Sequence, residues 1–186
     1  AGRMEHKTNS FTDFIAVADF LVREAYASRA RMIVEGGSAG GLLIGAVLNL
    51  RPDLAGGAIL KVPFVDVINT MLDTSLPLTV AEFEEWGNPA DPAQYAILRS
   101  YCPYANLGRG PYPAMLVKTS INDSQVMYWE PAKYVARLRE RNDGAPQVLL
   151  KVNFAAGHGG SSGRYDALKE IAFDVAFLLK AWGIEE

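Results

Sequence analysis

The chain has 186 residues, 49% of them hydrophobic and 21% charged, with a formal net charge of −3, which is the balance of one globular domain with room for a core. The slight acidity argues against a nucleic-acid partner, which needs a concentrated basic face, and no apolar run reaches the roughly 18 residues of a membrane span. The single cysteine, Cys102, excludes an intrachain disulfide and fits a reducing compartment.

In chain order, residues 1–10 are polar and aperiodic and form a loose lead-in with no charged-then-apolar leader. The expected location is therefore cytoplasmic. Thr12 is placed to cap a helix reaching about Tyr26, with Phe14, Val17, Ala18, Leu21, Val22 and Ala25 as its apolar stripe. Residues 31–35 form a first strand, and a glycine-rich turn leads into an apolar helix over 42–50 that Arg51-Pro52 ends. Residues 57–62, 113–120 and 147–152 are three further strands, the third chain segment being apolar enough for a buried parallel position.

Between the second and third strands lies a long segment, 64–112, with many prolines and an acidic turn over 81–86. It is expected to be partly helical and to ride over the rim of a site. Pro131 opens a helix to about Arg141, before a turn at Asp143-Gly144. The last helix, 164–182, repeats Leu168, Ile171, Ala172, Val175, Leu178, Leu179 and Trp182 and is stopped by Gly183. Strands alternating with helices predict an α/β fold with about four parallel strands flanked by helices.

Gly36-Gly37-Ser38-Ala39-Gly40 lies between a strand and a helix, the context in which a G-x-S-x-G turn exposes a serine Oγ as a nucleophile. Ala39 opens the helix, so its N–H is a candidate oxyanion donor. The bare motif is weak in a chain with 17 glycines, and Gly159-Gly160-Ser161-Ser162-Gly163 matches it as well. No histidine follows that second copy, so Ser161 is expected in a loop or helix cap.

Only two histidines exist, His6 and His158. The order Ser, acid, His excludes His6 by position, leaving His158 in a glycine-rich loop as the general base. Six aspartates lie between Ser38 and His158. Catalytic groups of parallel sheets gather beyond the carboxyl ends of strands, which favours Asp123 after the third strand and leaves Asp66, after the second, as the alternative. Asp53, Asp73 and Asp91 have the settings of caps or turns. Cys102 has no adjacent base and is expected to pack.

These residues and their surroundings resemble the catalytic region of the prolyl oligopeptidase family of serine peptidases, its oligopeptidase B branch in particular. The resemblance spans nearly the whole chain. It rests on Gly36-Gly37-Ser38-Ala39-Gly40-Gly41, Val62-Pro63-Phe64-Val65-Asp66-Val67, Glu84-Glu85-Trp86-Gly87-Asn88-Pro89, Asp123-Ser124-Gln125-Val126 with Tyr128-Trp129-Glu130-Pro131-Ala132-Lys133, and Gly157-His158-Gly159-Gly160. It implies a catalytic triad of Ser38, Asp123 and His158, no cofactor or metal, and cleavage of short peptides after Arg or Lys. It further implies that Glu82 and Glu84 form an acidic S1 pocket, where carboxylates meet a guanidinium by charge-assisted hydrogen bonds.

Gln125 stands where prolyl-specific relatives place an arginine, which supports the oligopeptidase B branch. The family's β-propeller and the first half of its hydrolase sheet, with the tyrosine that supplies a second oxyanion donor, are missing from residues 1–186. The chain is therefore expected to be the C-terminal half of an α/β-hydrolase domain, found with its missing half or self-associated. Two other readings share parts of this pattern: a carboxylesterase, although no His-Gly-Gly-Gly loop is present, and an inactive fragment serving as an interaction module.

Overall fold

In the computed structural model, which describes residues 1–142 and 147–184, four segments pair into one parallel sheet. They are β1 (Ile33–Gly37), β2 (Gly57–Lys61), β3 (Ala114–Ser120) and β4 (Val148–Asn153), in the order β1-β2-β3-β4. The two inner strands are buried along most of their length, so their apolar runs need no alternation with polar residues. The turn expected at Asp143-Gly144 lies outside the described residues.

Among the described residues seven α-helices surround the sheet: α1 (Thr8–Arg23), α2 (Ala39–Leu50), α3 (Val67–Leu72), α4 (Phe83–Trp86), α5 (Pro92–Tyr101), α6 (Trp129–Arg141) and α7 (Arg164–Ala181). On one face of the sheet, Ile44 and Leu48 of α2 meet Leu60, Met115 and Val117 of the strands and Tyr134 and Leu138 of α6. A second cluster joins α1, α2, α3 and α5 through Phe11, Leu42, Met71 and Leu98. On the other face, Phe177 of α7 packs on Ile59 and Leu116. The segment 64–112 is partly helical as expected, and α5 starts because Asp91 Oδ1 accepts the N–H groups of Ala93 and Gln94 ahead of Pro92.

Three expectations are corrected. Residues 1–10 are not a loose lead-in. A 3₁₀ turn covers Met4–His6, α1 begins at Thr8, and Lys7 is buried at 7% exposure against Glu85. Thr12 is inside α1, where its hydroxyl donates back to the carbonyls of Thr8 and Asn9 instead of capping. Most of the apolar stripe of α7 points outward, with Leu168 and Ile171 more than half exposed, although Leu178 packs on the sheet, while Asp174 and Phe177 are its buried residues.

Asp174 and Glu170 turn inward because lysines await them. Register aligns Lys61, Lys118 and Lys151 across β2, β3 and β4, and alternating charges then run from Lys151 through Glu170, Lys118, Asp174 and Lys61 to Glu35. This ladder fastens α7 beside the loop that precedes it.

Candidate active site

Ser38 stands between the last residue of β1 and the first of α2 with φ 52° and ψ −120°, a conformation costly to any residue with a side chain. What fixes it there is hydrogen bonding at both ends. Its N–H donates to Lys61 O, and its carbonyl accepts from the N–H groups of Gly41, Leu42 and Phe64. Gly36 is needed for the close approach, since a Cβ there would lie 2.2 Å from Gly40 O. A Cβ on Gly40 itself would meet nothing within 4 Å. The second tight contact is one residue further, at Gly41, whose Cβ would stand 2.4 Å from Pro63 Cβ. Because the carbonyl of Ser38 takes its donors from Gly41 and Leu42, the N–H of Ala39 at the start of α2 is left for another acceptor.

Asp123, just beyond β3, has a fully buried side chain. Its Oδ1 accepts the N–H groups of Gln125 and Val126, and His158 Nδ1 lies 3.0 Å from Oδ1 and 2.8 Å from Oδ2. A carboxylate only accepts, so Nδ1 carries the proton and Nε2 is the basic nitrogen. His158 follows β4 in a loop braced by Asn153, which accepts from the N–H groups of Ala155 and Ala156 and donates to Ser161 Oγ. Ser161 is thus a loop residue, as expected. The Ser38 hydroxyl makes no hydrogen bond with the described residues.

Asp66, the alternative acid, is directed elsewhere. Its carboxylate takes Lys133 Nζ at 2.5 Å and the amide of Asn69. Beside it, Glu130 is 1% exposed and accepts Asp66 N–H on one oxygen and the Thr70 hydroxyl on the other. Burial pushes the Glu130 carboxyl up to about 7. Cys102 is buried, burial raises its thiol, and its Sγ faces Val65 O. It packs, as expected.

Glu82 and Glu84 both line a cavity of about 700 Å³, together with Ala39, Glu85, Trp86 and Lys7. A second cavity of about 40 Å³ holds Ser38, Ala39, Phe64, Thr70, Thr79 and Glu82, so Ala39 and Glu82 face both. The three carboxylates differ in their partners. Glu82 Oε2 accepts the Trp86 indole N–H at 2.6 Å, and Glu85 pairs with Lys7, whose Nζ sits 4.1 Å from the Trp86 ring centroid. Glu84 is exposed and has no polar partner among the described residues.

Sequence reasoning missed Lys7 and Glu130. Lys7 comes from a stretch with no periodicity, and only a contact 78 residues away gives it a role. Glu130 lay inside a quoted motif, but nothing local marks a glutamate as buried.

A profile of the prolyl oligopeptidase family matches residues 1–185. Dipeptidyl aminopeptidase BI of Pseudoxanthomonas mexicana is 51% identical over 183 residues, covering 98% of this chain and 25% of that protein. Protease 2 of Moraxella lacunata is 49% identical over 184 residues, covering 99% of this chain and 27% of that protein. The structure of oligopeptidase B from Trypanosoma brucei with covalently bound antipain matches with a TM-score of 0.95 at 44% identity, covering 100% of this chain and 26% of that one. The chain spans about a quarter of the length of the relatives it matches.

Proposed function

The chain belongs to the prolyl oligopeptidase family of serine peptidases, and on that premise we propose that it carries the catalytic triad and specificity pocket of a cytoplasmic oligopeptidase that cuts short peptides after Arg or Lys. The observation that carries this reading is the bonded Asp123–His158 pair at the same carboxyl edge of the sheet as the strained Ser38.

In the proposed reaction His158 Nε2 takes the Ser38 Oγ proton as Oγ bonds to the scissile carbonyl carbon, whose π electrons move to oxygen. The Ala39 N–H stabilises that oxyanion. His158 then gives the proton to the leaving amine, the C–N bond breaks, and an acyl-enzyme remains for water to hydrolyse by the same steps. Asp123 holds the imidazole in the required tautomer and stabilises the imidazolium. The covalent antipain complex of the similar trypanosomal enzyme supports a covalent route.

Glu82 and Glu84 receive the cationic side chain. Among the described residues Glu84 has its carboxylate free, and the indole N–H holds one oxygen of Glu82 and leaves the other available. The rest of the machinery, namely a β-propeller, the first half of the sheet and a second oxyanion donor, belongs to a longer polypeptide in which residues 1–186 complete the α/β-hydrolase domain. The coverage of the relatives supports this.

The test compares an N-blocked arginyl amide with a neutral one on the complete enzyme. Asp123→Asn should lower kcat on both by about 10⁴ through loss of the tautomer, whereas replacing Glu82 and Glu84 by Gln should cut kcat/KM for the arginyl amide far more than for the neutral one. Equal losses in the glutamine variant would remove the pocket assignment. A second reading, a dipeptidyl aminopeptidase, is favoured by the 51% identity to an enzyme of that name. Only that reading requires a free substrate N-terminus, so turnover of the N-blocked amide excludes it.

A further inference from the structure

We propose that Glu130 is a positioning residue that sets the nucleophile and the acidic turn relative to each other, one arm reaching Ser38 and the other Glu82. The inference rests on the proposed roles of those two residues. Glu130 sits at the start of α6, outside every cavity named above, and touches neither of them.

The first arm starts at Oε1, which accepts Asp66 N–H at 2.7 Å. That bond holds the connection between β2 and α3, residues 62–66, against α6. The same connection donates Phe64 N–H to Ser38 O at 3.0 Å and places Pro63 against Gly41. Its first residue, Val62, has φ 42°, an unfavourable state for a β-branched side chain that persists only when neighbours impose it. Its other restraints include Val62 N–H on Lys118 O at 2.7 Å, Tyr104 N–H and Cys102 Sγ, both on Val65 O, and the Asp66 carboxylate on Lys133 and Asn69.

The second arm starts at Oε2, which accepts the Thr70 hydroxyl at 2.6 Å. Thr70 O accepts the buried Thr79 hydroxyl at 3.0 Å, and Glu82 N–H is shared between Leu78 O at 3.0 Å and Thr79 O at 3.3 Å, so the turn that Thr79 anchors carries Glu82. Thr70 and Thr79 therefore form the wall between α3 and the acidic turn, in the cavity shared by Ser38 and Glu82.

A buried carboxylate is a costly way to join two segments, since a well-packed apolar group often stabilises as much. What it adds is two hydrogen-bonding atoms at fixed spacing, one for each arm. The charged groups around it are also arranged for this. The Asp66 carboxylate beside it is neutralised by Lys133, one turn along α6, so the clamp is not pushed apart.

The experiment uses the complete enzyme with Glu130→Gln, Glu130→Ala and Thr70→Val, each active-site-titrated with a fluorophosphonate so that kcat refers to folded, reactive sites. A neutral ester reports the Ser38 arm, and the ratio of arginyl to neutral ester reports the Glu82 arm. Glutamine keeps one acceptor for Asp66 N–H and can donate to Thr70 Oγ1, so Glu130→Gln stays close to wild type on both readouts. Glu130→Ala loses roughly 10- to 100-fold in kcat on the neutral ester, as for a small misplacement of the nucleophile. Thr70→Val loses several-fold in the arginyl preference, a larger factor than its loss in neutral kcat.

Wild-type kcat per titrated site in Glu130→Ala, or an unchanged arginyl preference in Thr70→Val, overturns the proposal. Should Glu130→Ala not fold, Glu130→Asp replaces it, because its carboxylate is one methylene too short to hold both donors. If replacing Glu82 and Glu84 by Gln leaves the arginyl preference intact, the pocket reading fails on its own, and the neutral-ester kcat of the Glu130 variants still decides the Ser38 arm.

Discussion

Ser38 and Val62, at φ 52° and 42°, place two unfavourable backbone conformations on adjoining strand ends, which costs on the order of 1 to 3 kcal/mol each. Both are locked by the connection that Glu130 holds. Glu130 therefore also leaves a signature in stability. Burial moves its carboxyl from 4.5 to about 7, so between those values the folded form keeps a proton that the unfolded form has lost. Its contribution to stability is full below the unfolded value and is lost as pH rises through 7, a swing of up to about 3 kcal/mol. Glu130→Gln has no such titration. Its Tm relative to wild type should climb between pH 5 and 8 and level off above, and thermal melts across that range would contradict this by giving a constant difference.

At the scale of elements, local signals served where local physics decides. The turn from β1 into α2 was legible because a strand, a G-x-S-x-G and an apolar helix leave one geometry that fits, whereas α5 was not read as a helix although its cap, Asp91, had the setting of a cap or turn. The limits were set by long-range contacts. Nothing within residues 1–10 predicts that Lys7 meets Glu85, and the apolar period of α7 could not say which face the sheet would take. The ladder decides it, because turning α7 inward on Ile171 would take Glu170 and Asp174 away from Lys118 and Lys151 and leave Lys61 with Glu35 alone.

The ladder is graded by exposure, and so is its expected worth. Asp174 and Lys118 side chains are 12% and 13% exposed, whereas Glu35 is 53% exposed. Asp174→Asn should destabilise by about 3 kcal/mol, as for breaking a buried pair, and Glu35→Gln by under about 1 kcal/mol. Denaturant unfolding of both variants tests this, and equal losses would mean that the ladder is merely a solvated surface network.

For the whole molecule, the two sheet edges and one helix face lack cover among the described residues. In the sheet order β1-β2-β3-β4, β1 and β4 each have one unpaired edge, and α7 presents Leu168, Ile171, Val175 and Leu179 outward. Free parallel edges and apolar stripes recruit other chains, which accords with the proposal that a longer polypeptide covers them. The site divides along the same line. The nucleophile, acid and base were readable because histidine is scarce and strand ends attract catalytic groups, while Glu130 and Lys7 act only through the folded chain. The most direct test of the account is to react the complete enzyme with a fluorophosphonate and locate the adduct by peptide mass mapping. Modification of Ser38 alone, abolished in His158→Ala, is the predicted result. An adduct on Ser161, or equal labelling of Ser38 with and without His158, would contradict it.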